Sequence, residues 1–172
     1  GDKSNAGSST DITGTGWDIT LTASGDATPD GLTLYGGISK IDQHQNGTAV
    51  NDDISEWTAG IKYAVGSFTL GYQYSEEDNG RATTKTGYEN TGYGIVFAVN
   101  DDLSISYNNY ESDQLNTTAG TSTSAEASSF QVAYSAGGLS VRVAEQTVDN
   151  KLYCTNAASQ RDATTLSVAL AF

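Results

Sequence analysis

Apolar and polar residues alternate along most of this chain, and this alternation is the first guide to its structure. Nine short runs show the alternation, while helical periodicity is nearly absent. Thr, Ser, Gly, Tyr and Val dominate the runs, and these residues favour strands and turns. Strict alternation predicts half-buried strands. The predicted strands are Trp17–Ala23, Leu32–Lys40, Trp57–Val65, Phe68–Ser75, Gly92–Val99, Leu103–Tyr110, Ser129–Ser135, Leu139–Glu145 and Thr164–Phe172.

Short and long connections alternate between the predicted strands. Short ones are predicted at Val65-Gly66-Ser67, at Asn100-Asp101-Asp102, at Ala136-Gly137-Gly138 and, slightly longer, at 24–31. Long polar connections are predicted at Ile41–Glu56, Glu76–Asn90, Glu111–Ser128 and Gln146–Ala163. Turn-centred segments resemble one another at a spacing close to 36 residues, which indicates a repeated hairpin. The pattern is typical of an antiparallel up-and-down meander whose two ends differ.

The two faces of the predicted strands differ in chemistry, because successive side chains point to opposite sides. One face carries large apolar residues, and the other carries mostly small polar ones with only Lys62 and Arg142 as bases. A soluble sandwich would need more charge on its outward face. Aromatic residues also collect near strand ends, as at a membrane–water interface. Together these features predict an all-β, antiparallel up-and-down transmembrane β-barrel with its apolar face outward.

Composition narrows the function. The chain has 172 residues, a formal charge of −13 and an apolar fraction of 37%. Its acidity argues against nucleic-acid binding, which needs clustered basic residues. A low apolar fraction fits a barrel wall, because only one face of each strand must be apolar. Apolar runs are far shorter than the about 20 residues of a membrane helix, so only strands could cross a bilayer.

The C-terminal end carries a family resemblance. Its last residues read Leu166-Ser-Val-Ala-Leu-Ala-Phe172, with apolar residues at alternate positions before a terminal Phe. This segment resembles the last strand of bacterial outer-membrane proteins. The hairpins Tyr93–Tyr110 and Phe130–Val143 are similar to those of alphaproteobacterial general porins, especially from marine bacteria. The similarity covers about residues 57 to 172 and lies in the ordered series of strands.

The resemblance implies a water-filled channel for passive diffusion of ions and small hydrophilic solutes. It also implies an outer-membrane location with the long loops extracellular, contact with outer-membrane lipid, and a homotrimer. Phe172 would be recognised by the barrel-assembly machinery. Such barrels have an even number of strands, whereas nine are predicted here. Either the count is wrong by one, or the chain is the C-terminal part of a barrel of about sixteen strands, which we favour. Residues 1–16 would then be a polar loop segment and 17–172 barrel strands.

Candidate site residues follow from strand parity. Lys62 and Arg142 are predicted to line the pore and act on anions through their charge, and Asp18, Gln73 and Asn108 share the polar parity. The predicted lipid-facing and girdle residues are Trp17, Trp57, Tyr74, Tyr134 and Phe172. Tyr110 is off the apolar parity by one residue, so it requires a bulge or points inward.

No catalytic, metal or cofactor site is predicted. One His and one Cys cannot supply a histidine or cysteine metal cluster, and no nucleophile–base motif is visible. Acidic clusters such as Glu76-Glu77-Asp78 lack the spacing of a calcium loop and suggest a solvated surface. Two other functions remain open: a small outer-membrane barrel that does not conduct and serves a structural or receptor role, and a soluble, secreted, acidic β-sandwich that acts as a binding module.

Overall fold

The structure, a computed structural model, describes residues 15–42, 53–80, 85–116 and 122–171. These residues form one sheet in which each strand pairs antiparallel with the next, in the order β1 to β9. The strands are β1 (Gly16–Ala23), β2 (Leu32–Ile41), β3 (Ile54–Val65), β4 (Phe68–Asp78), β5 (Lys85–Ala98), β6 (Leu103–Asn116), β7 (Ser122–Ala136), β8 (Leu139–Asp149) and β9 (Arg161–Leu170).

The predicted all-β, up-and-down arrangement of nine strands is therefore confirmed. Several strands extend further toward the long connections than the sequence predicted. β5 begins at Lys85 and β6 ends at Asn116, well inside stretches that the sequence predicted as loops. These extensions are mostly polar on both faces, so the alternation that identifies a half-buried strand is missing. Cross-strand backbone pairing holds them in the sheet.

Tight turns join the strands at the opposite end of the sheet, as predicted. Gly137 and Gly138 both have positive φ, 57° and 84°, which suits a two-residue turn between antiparallel strands. At 99–102 the Asn100 side chain accepts hydrogen bonds from the backbone N–H groups of Asp102 and Leu103, both at 2.9 Å. The Asp101-Asp102 pair is thus part of a turn.

The sheet is open, with β1 and β9 at its two edges. Within the described ranges no pairing joins the two edges, so the nine strands do not close a barrel by themselves. The only helical segments in those ranges are 3-10 turns at Gly25–Ala27, Lys151–Tyr153 and Ala157–Ser159. None of the helices in this part of the chain is long and apolar enough to cross a membrane.

A buried core is almost absent from the described sheet. Its only buried hydrophobic residues are Ile54 and Ala144. Large apolar side chains are instead exposed in a band on one face, from Phe97 at 37% to Leu21 at 73%. Exposed apolar area on this scale is unfavourable in water, at about 25 cal/mol per Å², and marks a surface covered by lipid or protein.

Candidate functional site: the two faces of the sheet

The pairing register assigns every described strand residue to one of two faces. The apolar face contains Ile61, Tyr72 and Tyr93, which lie opposite one another on β3, β4 and β5. The polar face contains Lys62, Gly71, Gly94 and Asn108, which lie opposite one another on β3 to β6. Side chains on the two faces cannot contact each other through the sheet. The two faces therefore have to be considered as separate surfaces.

The boundary between apolar and polar residues on the apolar face does not run along a row of paired residues. We call the upper edge the set of residues, one on each strand, at which the series of apolar residues that runs from the tight turns without a polar residue ends. Its members are Trp17, Ile38, Trp57, Tyr74, Tyr93, Tyr107, Phe130, Val143 and Leu166. Above this edge the same face is polar apart from Leu115 on β6, as at Glu76, Asn109 and Ser128.

The upper edge descends steadily across the sheet. On β3, the row of Trp17 passes through Ser55 and the row of Leu166 passes through Val65. These positions are ten residues apart, and β1 is eight strand steps from β9. The descent is thus about 1.25 residues per strand. With about 3.4 Å per residue and 4.8 Å between strands, the edge is inclined by about 40° to the paired rows.

The lower edge of the apolar band descends in the same direction. The row of Val65, at the lower end of β3, reaches β8 at Val143, whereas apolar residues on β8 continue to Leu139. Four residues over five strand steps give an inclination of about 30°. If the apolar band lies in one plane, the strands must therefore be tilted by about 30–40° from the normal of that plane. This is close to the strand tilt of membrane barrels.

Aromatic side chains are concentrated along the upper edge. Trp57 and Tyr74 pack with ring centroids 5.2 Å apart, and the Trp57 Nε1–H donates to Glu76 Oε2 at 3.0 Å. Trp17, Trp57 and Tyr74, three of the residues predicted for a girdle, thus lie on the upper edge. Tyr134 is on the same face but nearer the tight turns, and Phe172 lies outside the described residues.

Sequence reasoning did not assign Tyr93, Tyr107 and Phe130 to this girdle. They lie in the interior of β5, β6 and β7, and only the pairing register brings them into line with Trp57 and Tyr74. A strand-by-strand pattern contains no information on how far one strand is displaced against the next. The inclination of the apolar band therefore cannot be derived before the register is known.

The polar face brings together three of the five predicted pore-lining residues. Lys62 lies opposite Gly71, which lies opposite Gly94, which lies opposite Asn108. Gln73 follows two residues after Gly71 on β4 and points to the same side. All three polar side chains line a cavity of about 480 Å³ with a glycine floor.

Arg142 and Asp18 are on the polar face but elsewhere. Arg142 is on β8, opposite Ala133 and Ser167. It is five strand spacings from Lys62, or about 24 Å along the sheet. Asp18 is on the edge strand β1 and, with Glu56 and Glu77, lines a separate cavity of about 260 Å³. The five residues thus share a face but do not form one cluster.

Two tyrosines on the polar face border the glycine floor. The Tyr35 ring lies across Gly60, and its hydroxyl donates to Gln73 Oε1 at 2.9 Å. The Tyr110 ring lies beside Gly92, its partner on β5. Tyr110 therefore points to the polar side without a bulge, which is one of the two predicted possibilities. Tyr35 was not singled out in the sequence, because the glycine beneath it is on another strand.

The connection between β8 and β9 folds over the polar face. The Tyr153 hydroxyl is 2.7 Å from Ser112 Oγ, and its ring packs against Tyr88 with centroids 5.5 Å apart. Asn150, Leu152 and Tyr153 adopt positive φ between 52° and 58°, unusual for residues other than glycine. Lys151 is thereby brought to a cavity of about 540 Å³ beside β4 to β7. The sequence had predicted only a polar loop here.

Acidic residues occupy the apolar face above the upper edge. Glu76 lies opposite Glu89, which lies opposite Asp113, and Glu111 lies opposite Glu126. Some have hydrogen-bond donors: Asn109 Nδ2 donates to Glu126 Oε1 at 2.6 Å, and Ser124 Oγ donates to Asp113. Within the described ranges, no three His, Cys, Asp or Glu side chains are grouped so as to hold a metal ion.

Comparison with known proteins adds no family assignment. No protein-family model matches the sequence, and no curated protein matches it significantly. The chemistry of the two faces and the inclination of the apolar band are therefore the observations from which a function can be argued.

Proposed function

We propose that this chain forms part of the wall of an outer-membrane porin, a water-filled channel through which ions and small hydrophilic solutes diffuse passively. The inclined apolar band carries the proposal. In a barrel whose strands are tilted by about 35–45°, a band level with the bilayer must cross the paired rows at about that angle. The angles of about 40° and 30° at its upper and lower edges agree with this requirement.

Aromatic residues along the upper edge support the same orientation. Tyr and Trp favour the membrane–water interface, because one part of each ring is apolar and another forms hydrogen bonds. Trp57 meets this description, since its ring packs on Tyr74 and its N–H reaches Glu76. Six of the nine upper-edge residues are aromatic. Polar residues then begin directly above them.

The polar face suits the wall of an aqueous lumen. Small neutral side chains such as Ser106 and Thr69 cover most of it, and Lys62, Gln73, Asn108, Arg142 and Asp18 add polar groups. None of these requires an apolar neighbour, so water can fill the space beside them. The proposal assigns no catalytic residue and no cofactor, because passive diffusion needs neither.

The open edges mean that further strands complete the barrel in this proposal. Unpaired backbone groups at β1 and β9 would each cost several kcal/mol in lipid, so both edges must pair with other strands. About sixteen strands in total would leave an aqueous channel. Trimer formation and recognition of Phe172 by the assembly machinery are further parts of the proposal and rest on the resemblance to porins.

The decisive experiment is conductance of the full-length protein in a planar lipid bilayer. A porin produces stepwise increases in current as single channels insert, and its folded form migrates differently from its heated form in detergent gels. A protein that folds, migrates in this way and gives no current would instead be a non-conducting outer-membrane barrel. A protein that stays monodisperse in buffer without detergent would be the soluble sandwich, and the porin proposal would be wrong.

A further inference from the structure

We propose that the cavity between Tyr35 and Tyr110 is a binding subsite for a sugar that carries a carboxylate, of the uronic acid class. This inference rests on the proposed function, because a solute crossing the lumen would pass along the polar face where the cavity lies. Its volume of about 480 Å³ falls in the range of small-molecule sites, about 300–1,000 Å³. We call this cavity the tyrosine trough.

The floor of the tyrosine trough is open at Gly71, where an added side-chain carbon would meet no other atom within 4 Å. The two other floor glycines are flanked by side chains of the trough, Gly94 by Asn108 and Gly92 by Tyr110. By contrast, the space above Gly60 is filled by the Tyr35 ring. The trough is thus a gap between two tyrosine-covered positions, and a ring-shaped ligand can approach the backbone there.

The walls supply apolar ring surfaces. Tyr110 is 47% exposed, and it lines the trough beside Gly92. Pyranose rings present a face of C–H groups that pack against aromatic rings, while their hydroxyl groups remain at the rim. Tyr35 is held in place by its hydrogen bond to Gln73 Oε1, so the opposite wall is fixed as well.

Hydrogen-bonding groups converge on the same space. With Oε1 of Gln73 accepting from Tyr35, its amide N–H groups are left to donate to a ligand. Asn108 offers both a donor and an acceptor from the opposite side of the floor. Such a mixture suits the hydroxyl groups of a sugar, which donate and accept together.

Charge selects the carboxylated class. The chain carries 21 acidic against 8 basic residues, yet the described lining of the tyrosine trough includes Lys62 and no carboxylate. A ligand carboxylate could pair with the Lys62 ammonium without meeting a like charge in the lining. The neighbouring cavity beside Asp18, Glu56 and Glu77 has the reverse character.

The test is a titration of the full-length protein, folded in detergent micelles, with D-glucuronate and separately with D-glucose, followed by saturation-transfer NMR. We expect saturable glucuronate binding in the millimolar range and weaker glucose binding. Lys62→Gln should weaken glucuronate binding about fivefold, the upper range for an exposed ion pair, and leave glucose binding unchanged. Arg142→Gln removes the same charge from the same face outside the trough and should change neither.

A second pair of variants tests the location without changing charge. Gly71→Leu fills the tyrosine trough from its floor, where the added side chain meets open space, and should abolish saturable binding. Ala163→Leu is the matched control, because it places the same leucine side chain on the polar face in the row of Lys62 but on β9. The folded gel mobility of each variant shows that it has assembled.

Several outcomes would overturn the subsite. These are the absence of saturable binding, equal weakening by Lys62→Gln and Arg142→Gln, equal affinity for glucose and glucuronate, or full binding by Gly71→Leu. Planar-bilayer conductance measured on the same preparations separates the two proposals. Normal conductance without binding rejects only the subsite, whereas specific binding without conductance rejects only the channel.

Discussion

One row of paired residues on the apolar face has two chemically different halves. On β3, β4 and β5 the row consists of Ile61, Tyr72 and Tyr93, and on β6, β7 and β8 it continues as Asn109, Ser128 and Thr147. Both halves have the same backbone pairing and face the same side of the sheet. Hydrogen bonding therefore does not determine where the apolar band lies.

The difference fits the proposed barrel, in which the depth of a residue in the bilayer determines whether an apolar or a polar side chain is favoured there. If the strands are tilted by about 35–45°, Ile61 lies near the middle of the bilayer, while Ser128 lies above its apolar region. The same tilt brings Trp57 on β3 to the level of Phe130 on β7, although their rows are six residues apart on β3. An apolar face that packed against a second sheet would have no such reason to end along a line inclined to the paired rows.

The largest expected effect on stability comes from an arginine placed in the apolar half of that row. An arginine in the polar half is the matched control. Ile61→Arg should destabilise the barrel by about 2–4 kcal/mol, the cost of a basic residue near the bilayer midplane. Ser128→Arg should cost only about 0–1 kcal/mol, as near the interface. The measurement is the free energy of unfolding in urea for protein folded into lipid vesicles. Equal costs at the two positions would contradict the tilted arrangement.

Removal of one aromatic residue on β3 and one on β7 tests whether the upper edge lies at one level in the bilayer. Trp57→Ala and Phe130→Ala should each lower the free energy of unfolding by about 1–3 kcal/mol, through loss of apolar burial and aromatic contact. The two costs should be similar, because the proposed tilt places both residues at the same bilayer height. Thr91→Ala, on the same face just above the edge, is the control and should have little effect. A large cost at only one aromatic position would mean that the edge is not level.

The smallest effect concerns ion selectivity on the polar face. Lys62 and Arg142 are in different rows, yet each lies three residues above the lower edge of the band on its strand, at Val65 and Leu139. Lys62→Glu and Arg142→Glu should therefore shift the permeability ratio toward cations by similar amounts, through their charge in the lumen. Reversal potentials in a salt gradient measure this ratio. A shift for one variant and none for the other would place the second residue outside the conducting path.

Strand identity and facing were predictable because they depend on neighbouring residues in the chain. Alternation identified nine strands and their order, and parity placed Lys62, Gln73 and Asn108 on the polar face, where the register puts them. The turn at 99–102 was predictable for the same local reason. Strand ends such as Lys85 and Asn116 were not, since polar residues on both faces carry no alternation.

Local pattern along the chain is thus enough to predict the alternation within each strand, the polar or apolar character of each face and the positions of the tight turns. How far each strand is displaced against the next emerges only in the folded sheet. That displacement aligns Tyr93, Tyr107 and Phe130 with Trp57, and it places Tyr35 over Gly60 and Tyr110 beside Gly92 to form the tyrosine trough. Cross-strand contacts join residues that are far apart in the chain, and local preference does not encode their register.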